Sequence, residues 1–206
     1  MSKVMRVKLT MIDSILGTAS GDPALHETYI ASKAPDAKSR AEEIEALGVE
    51  EVTEKNRTVF PRDPETGVPV LFNYQIKGFF KSACSALRQI SGTHSKKLKA
   101  YKKQIDLRIH VFEHAENKAG RMIHFDNIED VGSCQRPLRA STPQGERVAL
   151  ADSEEIPAGA TLEFDIEMLN PDDEAIVKEW LDYGVYNGLG QWRNSGKGAF
   201  TWEQIG

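Results

Sequence analysis

Between Tyr74 and Ile90 the apolar residues fall at every third or fourth position: Ile76, Phe79, Phe80, Ala83, Cys84, Leu87 and Ile90. That spacing lines one face of a helix. Lys77, Lys81, Ser85 and Arg88 fall together on the other side. Two further stretches show the two-residue alternation of half-buried strands. In VMRVKLTMI (4–12), Val4, Met5, Val7, Leu9 and Met11 are set against Arg6, Lys8 and Thr10, and in TLEFDIEML (161–169) Leu162, Phe164, Ile166 and Met168 alternate. A helix with one apolar stripe and strands with one apolar face bury those surfaces against each other. IDLRIHVF (105–112) also alternates and reads as a strand. Asn170-Pro171-Asp172-Asp173 opens a helix in which Ile176, Val177, Trp180 and Leu181 share a face, and AFTWEQI (199–205) is a final strand. Pro171 suits a first helical turn, and the acids suit the positive end of the helix dipole. The series is strand, helix, strand, strand, helix, strand. This is the α+β, ferredoxin-like or RRM-like βαββαβ core. Two long insertions, about 13–73 and 113–160, decorate a single domain spanning residues 1–206.

The 206 residues suffice for a substantial core. LGTASGDPA (16–24) reads as a loop, and ALHETYIAS and KSRAEEIEALG as two short helices with Pro35 between them and Gly48 as a stop. The stretch 49–73 is irregular and includes the turn-rich PRDPETGVP. Residues 113–147 read as loops and short strands. There is no internal repeat and no low-complexity tract.

Net charge is −5, so global electrostatics do not announce a partner. The distribution says more. From Tyr74 to Lys103 there is no Asp or Glu, against Lys77, Lys81, Arg88, Lys96, Lys97, Lys99, Lys102 and Lys103. From Asp22 to Glu54 the balance reverses. A local basic patch attracts polyanions even on an acidic protein; the duller account is a solvated helix face and a lysine-rich loop. Cys84 and Cys134 are far apart, and Cys84 falls on the apolar helix face as a reduced core thiol. The five histidines lack metal-site spacing, so no metal or other cofactor is expected. No apolar run is long enough to span a membrane and no signal-like segment opens the sequence, so a reducing cytoplasm is expected.

The run GLGQWRNSGKGAF (188–200) lies between the second amphipathic helix and the last strand. Gly188 and Gly190 form one Gly-x-Gly pair, Gly196 and Gly198 another, with Trp192, Arg193 and Lys197 among them. Glycine permits close backbone approach, and paired glycines with cations and an aromatic ring suit a sugar-phosphate chain. The spacing fits neither the P-loop nor the dinucleotide fingerprint. A Gly-rich turn is the plain alternative, and Trp192 either stacks on a base or packs over the sheet edge. Arg136, Arg139 and Arg147 are further cations, as suited to a surface as to phosphate.

Three features together resemble the RAMP superfamily, the ferredoxin-like RNA-binding subunits of CRISPR effector complexes, and among them the backbone subunit that assembles along guide RNA. One is the element order. Another is DPETGVPVLFNYQIKGFFKSACSALR (63–88), where a Gly-x-Pro turn leads into a helix carrying Lys77, Gly78 and Lys81. The third is the glycine loop. The chain departs in having Asn73-Tyr74 where Gly-Ser is common, and Lys81 where Arg is common. Its short length suits a compact version carried by a phage or other mobile element. The resemblance implies a non-catalytic binder of single-stranded RNA or DNA. Lys77, Lys81 and Arg88 supply charge, the glycines Gly188, Gly190, Gly196 and Gly198 allow close approach, and Trp192, Arg193 and Lys197 clamp. Self-association along the strand, or docking with CRISPR-type subunits, is a corollary.

Two other readings stay open. An endoribonuclease of the same superfamily needs a positioned acid or base, and Asp13, Asp22 and His26 are the candidates. A protein-binding decoy would use the acidic segment 22–54, with Glu42, Glu43 and Glu45.

Overall fold

The computed structural model describes residues 2–20, 57–128, 130–142 and 145–206, with backbone alone for 138–142 and 145–149. The two short helices expected between 24 and 48, the acidic segment 22–54, Asp22 and His26 lie outside the described residues, as do the side chains of Arg139 and Arg147. The chain divides into two compact units. The first comprises residues 1–15, 61–130 and 156–206, and the second comprises 16–60 and 131–155.

The first unit carries the expected core. Its elements are β1 (Lys3–Met11), β5 (Val70–Phe72), α1 (Asn73–Leu87), α2 (Tyr101–Arg108), β6 (Ile109–Phe112), β7 (Met122–Asp126), β10 (Thr161–Met168), α3 (Glu174–Asp182) and β11 (Phe200–Gln204). β1 pairs antiparallel with β10 on one side, Lys3 opposite Met168, and with β11 on the other, Val7 opposite Gln204. β6 pairs with the C-terminal half of β10, Asp165 opposite Phe112. The strand order β11-β1-β10-β6, with helices between β1 and β6 and between β10 and β11, is the ferredoxin-like arrangement. β7 pairs with the first residues of β10, and β5 pairs with β7.

Alternation decides which face is covered. Met5, Val7, Leu9 and Met11 of β1 and Leu162, Phe164, Ile166 and Met168 of β10 are all buried. Onto them pack Ile76, Phe79, Phe80, Ala83 and Cys84 of α1 and Ile176, Val177, Trp180 and Leu181 of α3. Phe80 and Trp180 meet with ring centroids 5.6 Å apart. Each such large side chain taken out of water contributes about 1.5–3 kcal/mol, so the sequence stripe that most constrained the fold also supplies much of its stability. The opposite face presents the intervening polar residues: Arg6 is paired with Asp165 (3.1 Å) and Glu163 (3.6 Å), Lys8 with Glu163 (3.3 Å) and Lys118 with Glu167 (2.6 Å).

Some expectations are corrected. IDLRIHVF is not one strand, because α2 runs through Arg108 and only Ile109–Phe112 is extended. Ile105 and Ile109 are buried while Leu107 is 56% exposed, the opposite of what a four-residue alternation on one face requires. α1 ends at Leu87, and Ile90 is exposed. The loop expected at 16–24 begins in β2 (Ile15–Leu16) and includes β3 (Ala19–Ser20), and its residues 21–24 lie outside the described residues. The stretch 113–147 contributes β7 and much of a long hairpin, β8 (Gly132–Thr142) with β9 (Gly145–Ile156). That hairpin joins β2, β3 and β4 (Thr58–Val59) in a five-stranded sheet, the body of the second unit.

Within the first unit, the 61–69 turn is pinned to the sheet by His124 on β7. Its ring nitrogens each lie 2.6 Å from a carboxylate, Nδ1 from Glu113 and Nε2 from Asp63. With a carboxylate at both nitrogens, the ring satisfies the two contacts together only when it donates twice, as the imidazolium. Burial opposes that charge, but the two carboxylates outweigh it and raise the His124 pKa. The same contact, with the Glu65 N–H, holds the Asp63 carboxyl below its ordinary value.

Candidate nucleic-acid interface

The loop after α3 is built on a backbone crossing. Gly188 and Gly198 are buried against each other: Leu189 N–H donates to Gly198 O (2.9 Å), and Gly198 N–H donates to Ser14 O in the turn after β1 (2.7 Å). A Cβ on Gly188 would lie 1.7 Å from Gly198 O, and one on Gly198 would lie 1.8 Å from Leu189 O. These two glycines therefore form the neck of the loop. Their main chains face each other, so the close approach expected toward a ligand is made within the protein. Gly190 and Gly196 adopt left-handed backbone, φ 79° and 94°, and turn the loop back on itself.

Beyond the neck, Trp192 also has left-handed backbone, φ 54°. This is uncommon for a bulky residue and costs of order 1–3 kcal/mol. The next turn is closed by Ser195 N–H and Ser195 Oγ, both donating to Trp192 O at 3.0 and 2.8 Å. The indole is 41% exposed. Trp192, Arg193, Asn194, Gly190 and Gln191 face Tyr183, Tyr186 and Asn187 across an open groove of about 600 Å³. Tyr186 is 76% exposed. The groove thus offers flat aromatic faces, amides and one guanidinium, a set that can hold a base and its backbone.

Lys197 does not extend into this groove as a free cation. Its ammonium contacts Asp13 Oδ1 (3.3 Å) and Ser14 Oγ. Partial burial works against the Asp13 charge, yet Lys197 and the Ser14 N–H hold its carboxyl below the ordinary range. Asp13, the one described candidate for an acid, is engaged in fixing the loop to the turn after β1.

α1 separates the two halves of the expected site. Lys77 and Lys81, one turn apart, face α2 and share Asp106 at 3.8 and 2.7 Å. Desolvation, with Lys81 alongside, lowers the Lys77 pKa despite Asp106. Arg88 lies over the Tyr101 ring, 5.0 Å from its centroid. Ser82, about 100° further round the helix than Lys81, faces the other way and accepts a hydrogen bond from Asn187 Nδ2 (3.0 Å). The lysines and the Asn187 contact thus lie on two different sides of α1, about 100–140° apart around its axis. Between them runs an exposed strip of Tyr74, Gly78 and Ser85. A Cβ on Gly78 would meet nothing within 4 Å, so this strip is open.

Tyr74, Tyr183, Tyr186 and Asn187 are not among the sequence candidates. For Tyr74 the signal was present, since it lies off the apolar stripe at the head of α1. The other three sit on the turn after α3, where no periodicity marks them. Among the described residues, no group of three His, Cys, Asp or Glu side chains could hold a metal ion, and no helix is long and apolar enough to cross a membrane. Cys84 and Cys134 are unbridged, and burial raises the Cys84 pKa.

These features sit on a ferredoxin-like α+β unit. No family model matches the chain, and no curated protein sequence matches it. Among solved structures, a chain of the Type III-B Cmr-beta bound to cognate target RNA is similar in fold, with a TM-score of 0.53 and 11% sequence identity. The match covers 100% of this chain and 59% of that one.

Proposed function

We propose that the chain is a non-catalytic, RAMP-like protein that binds the backbone of single-stranded nucleic acid, RNA in preference to DNA, as part of a CRISPR-type or filamentous assembly. Residues 1–206 act as one such domain with two insertions. The observation that carries this reading is Trp192, an exposed indole held in left-handed backbone at the lip of a groove with Tyr183, Tyr186 and Arg193. Backbone strain at an exposed aromatic points to a role for that ring. The fold likeness to a chain of an RNA-bound Cmr complex supports it. The strand runs from the groove over the open strip of α1 toward Lys77, Lys81 and Arg88.

The test is binding of a labelled single-stranded oligonucleotide across a salt series. Affinity should fall steeply with salt, and Trp192→Ala should weaken it by about 5- to 150-fold, the loss of about 1–3 kcal/mol of stacking. Salt-independent affinity, or no binding at low salt, refutes the proposal. Incubating labelled RNA with excess protein, with and without a divalent ion, addresses the endoribonuclease reading. Intact RNA is expected, because Asp13 is occupied by Lys197.

A further inference from the structure

We propose that the lysine-rich segment between α1 and the first turn of α2 is a preformed phosphate-binding platform, a second docking surface for the same single-stranded backbone. The inference rests on the single-strand-binding reading above and extends the contact beyond the loop and α1.

Lys96, Lys97, Lys99, Lys102 and Lys103 are all exposed. Among the described residues none of the five is ion-paired, whereas Lys77, Lys81 and Lys197 each have a carboxylate partner. The chain as a whole is acidic, so this island of positive charge does not follow from general basicity. Lys102 and Lys103 also occupy the first turn of α2. There the helix dipole disfavours cations by about 0.3–1 kcal/mol each. A bound phosphate relieves both the dipole and the mutual repulsion.

The platform is rigid. The Glu179 carboxylate on α3 accepts the N–H groups of His94 (2.6 Å) and Ser95 (3.0 Å) and the Ser95 hydroxyl. Ser95 is fully buried, and its Oγ accepts a further bond from Trp180 Nε1 (2.9 Å). Thr93 Oγ1 donates to the carbonyls of Leu87 and Ile90, closing the end of α1. Ala100, with φ 48°, turns the chain from the 3₁₀ turn Ser95–Lys97 into α2. The backbone of a segment pinned in this way loses little conformational freedom when it binds, leaving the lysine side chains as the part that must be ordered. Its composition favours a nucleic-acid backbone over a protein partner: lysine is depleted at protein interfaces, whose cores are apolar and aromatic, whereas an ammonium suits a phosphate as a point charge.

The experiment measures anisotropy of a labelled oligouridine of about 30 nucleotides between about 50 and 300 mM salt. Three proteins are compared with the parent: one with all five lysines changed to Ala, Ser95→Ala, and Trp192→Ala. Each phosphate contact on a single strand contributes about 0.7 to the slope of log K against log salt. The five-lysine variant should therefore lose about 3.5 from the slope and at least tenfold in affinity near 100 mM. Ser95→Ala keeps every charge and should bind several-fold more weakly at the parental slope. Trp192→Ala should lose affinity with its slope intact. A five-lysine variant with the parent's slope and affinity overturns the platform while leaving the groove reading in place. So does a variant that loses only self-association in the absence of nucleic acid, which would assign the surface to an acidic protein partner. A parent chain that binds no oligonucleotide overturns both.

Discussion

Three glycine-to-alanine substitutions separate conformational strain from steric collision at the neck of the loop. Gly67 and Gly198 share the same φ, 72°, but a Cβ on Gly67 meets nothing within 4 Å, while one on Gly198 meets Leu189 O at 1.8 Å. Gly188 lies outside the left-handed region but collides equally, 1.7 Å from Gly198 O. Gly67→Ala should therefore cost only the left-handed penalty, about 1 kcal/mol. For Gly198→Ala the two backbone segments must part by about 1.2 Å to restore even a 3.0 Å contact. That shift strains or breaks the bonds Leu189 N–H to Gly198 O and Gly198 N–H to Ser14 O. A buried polar group left unpaired costs about 1–3 kcal/mol. With the strain term added, Gly198→Ala should cost about 4 kcal/mol or more and Gly188→Ala about 3 kcal/mol. Urea unfolding at constant m-value measures each cost. Gly188→Ala should also reduce oligonucleotide binding, because Trp192 and Arg193 hang from the neck, whereas Gly67→Ala should leave binding unchanged. Equal destabilisation by Gly67→Ala and Gly198→Ala, within about 0.5 kcal/mol, would falsify the crossing.

Asp106→Ala removes the shared partner of Lys77 and Lys81, so oligonucleotide affinity should rise a few-fold at low salt and the gain should vanish at high salt; unchanged affinity in gel-shift titration means that neither lysine lies on the strand's path. His124, with its raised pKa, stabilises the fold fully below its unfolded value near 6.5 and loses that contribution as pH rises through the folded value. Asp63, with its lowered pKa, contributes above about 3.8 and loses it as pH falls through the folded value. The difference in thermal midpoint between the parent and His124→Gln should thus be largest at mildly acidic pH and shrink toward alkaline pH, and a difference that grows from pH 6 to 9 contradicts the clasp.

The fold was legible wherever a single face is buried. β1, β10, α1 and α3 each present one apolar side, and their periodicity survives translation into structure almost residue for residue. IDLRIHVF failed because residues 105 and 109 fall on the same face of a helix as readily as 105, 107, 109 and 111 do in a strand; only the exposure of Leu107 separates the two, and exposure is not written in spacing. The β8–β9 hairpin was hidden for a different reason. It pairs with short strands remote in sequence, so nothing local obliges it to alternate. In the glycine run, the sequence marked where backbones approach closely but not which backbones. At Gly188 and Gly198 the partner is the protein itself, a contact made only once α3 and β11 have been packed together.

A ferredoxin-like sheet offers two sides to a polyanion, and the fold alone does not choose between them. On the sheet face opposite the helices, β10 contributes Glu163, Asp165 and Glu167, and the neighbouring cations Arg6, Lys8 and Lys118 are each already paired with at least one of them. A phosphate arriving there would have to displace a carboxylate from every cation it used. On the helical side the exposed strip of α1 carries no carboxylate, has at its middle a glycine with open space above it, and has aromatic rings to one side and lysines to the other. Lys77 and Lys81 share a single carboxylate, Asp106, so among these groups the helical side keeps an excess of positive charge, whereas the three cations and three acids of the sheet face balance. The exposed Tyr74 stacks on Phe72, with ring centroids 5.5 Å apart and planes 11° from parallel, at the head of the same strip. A strand laid along α1 would meet its first aromatic surface there and its last at Trp192.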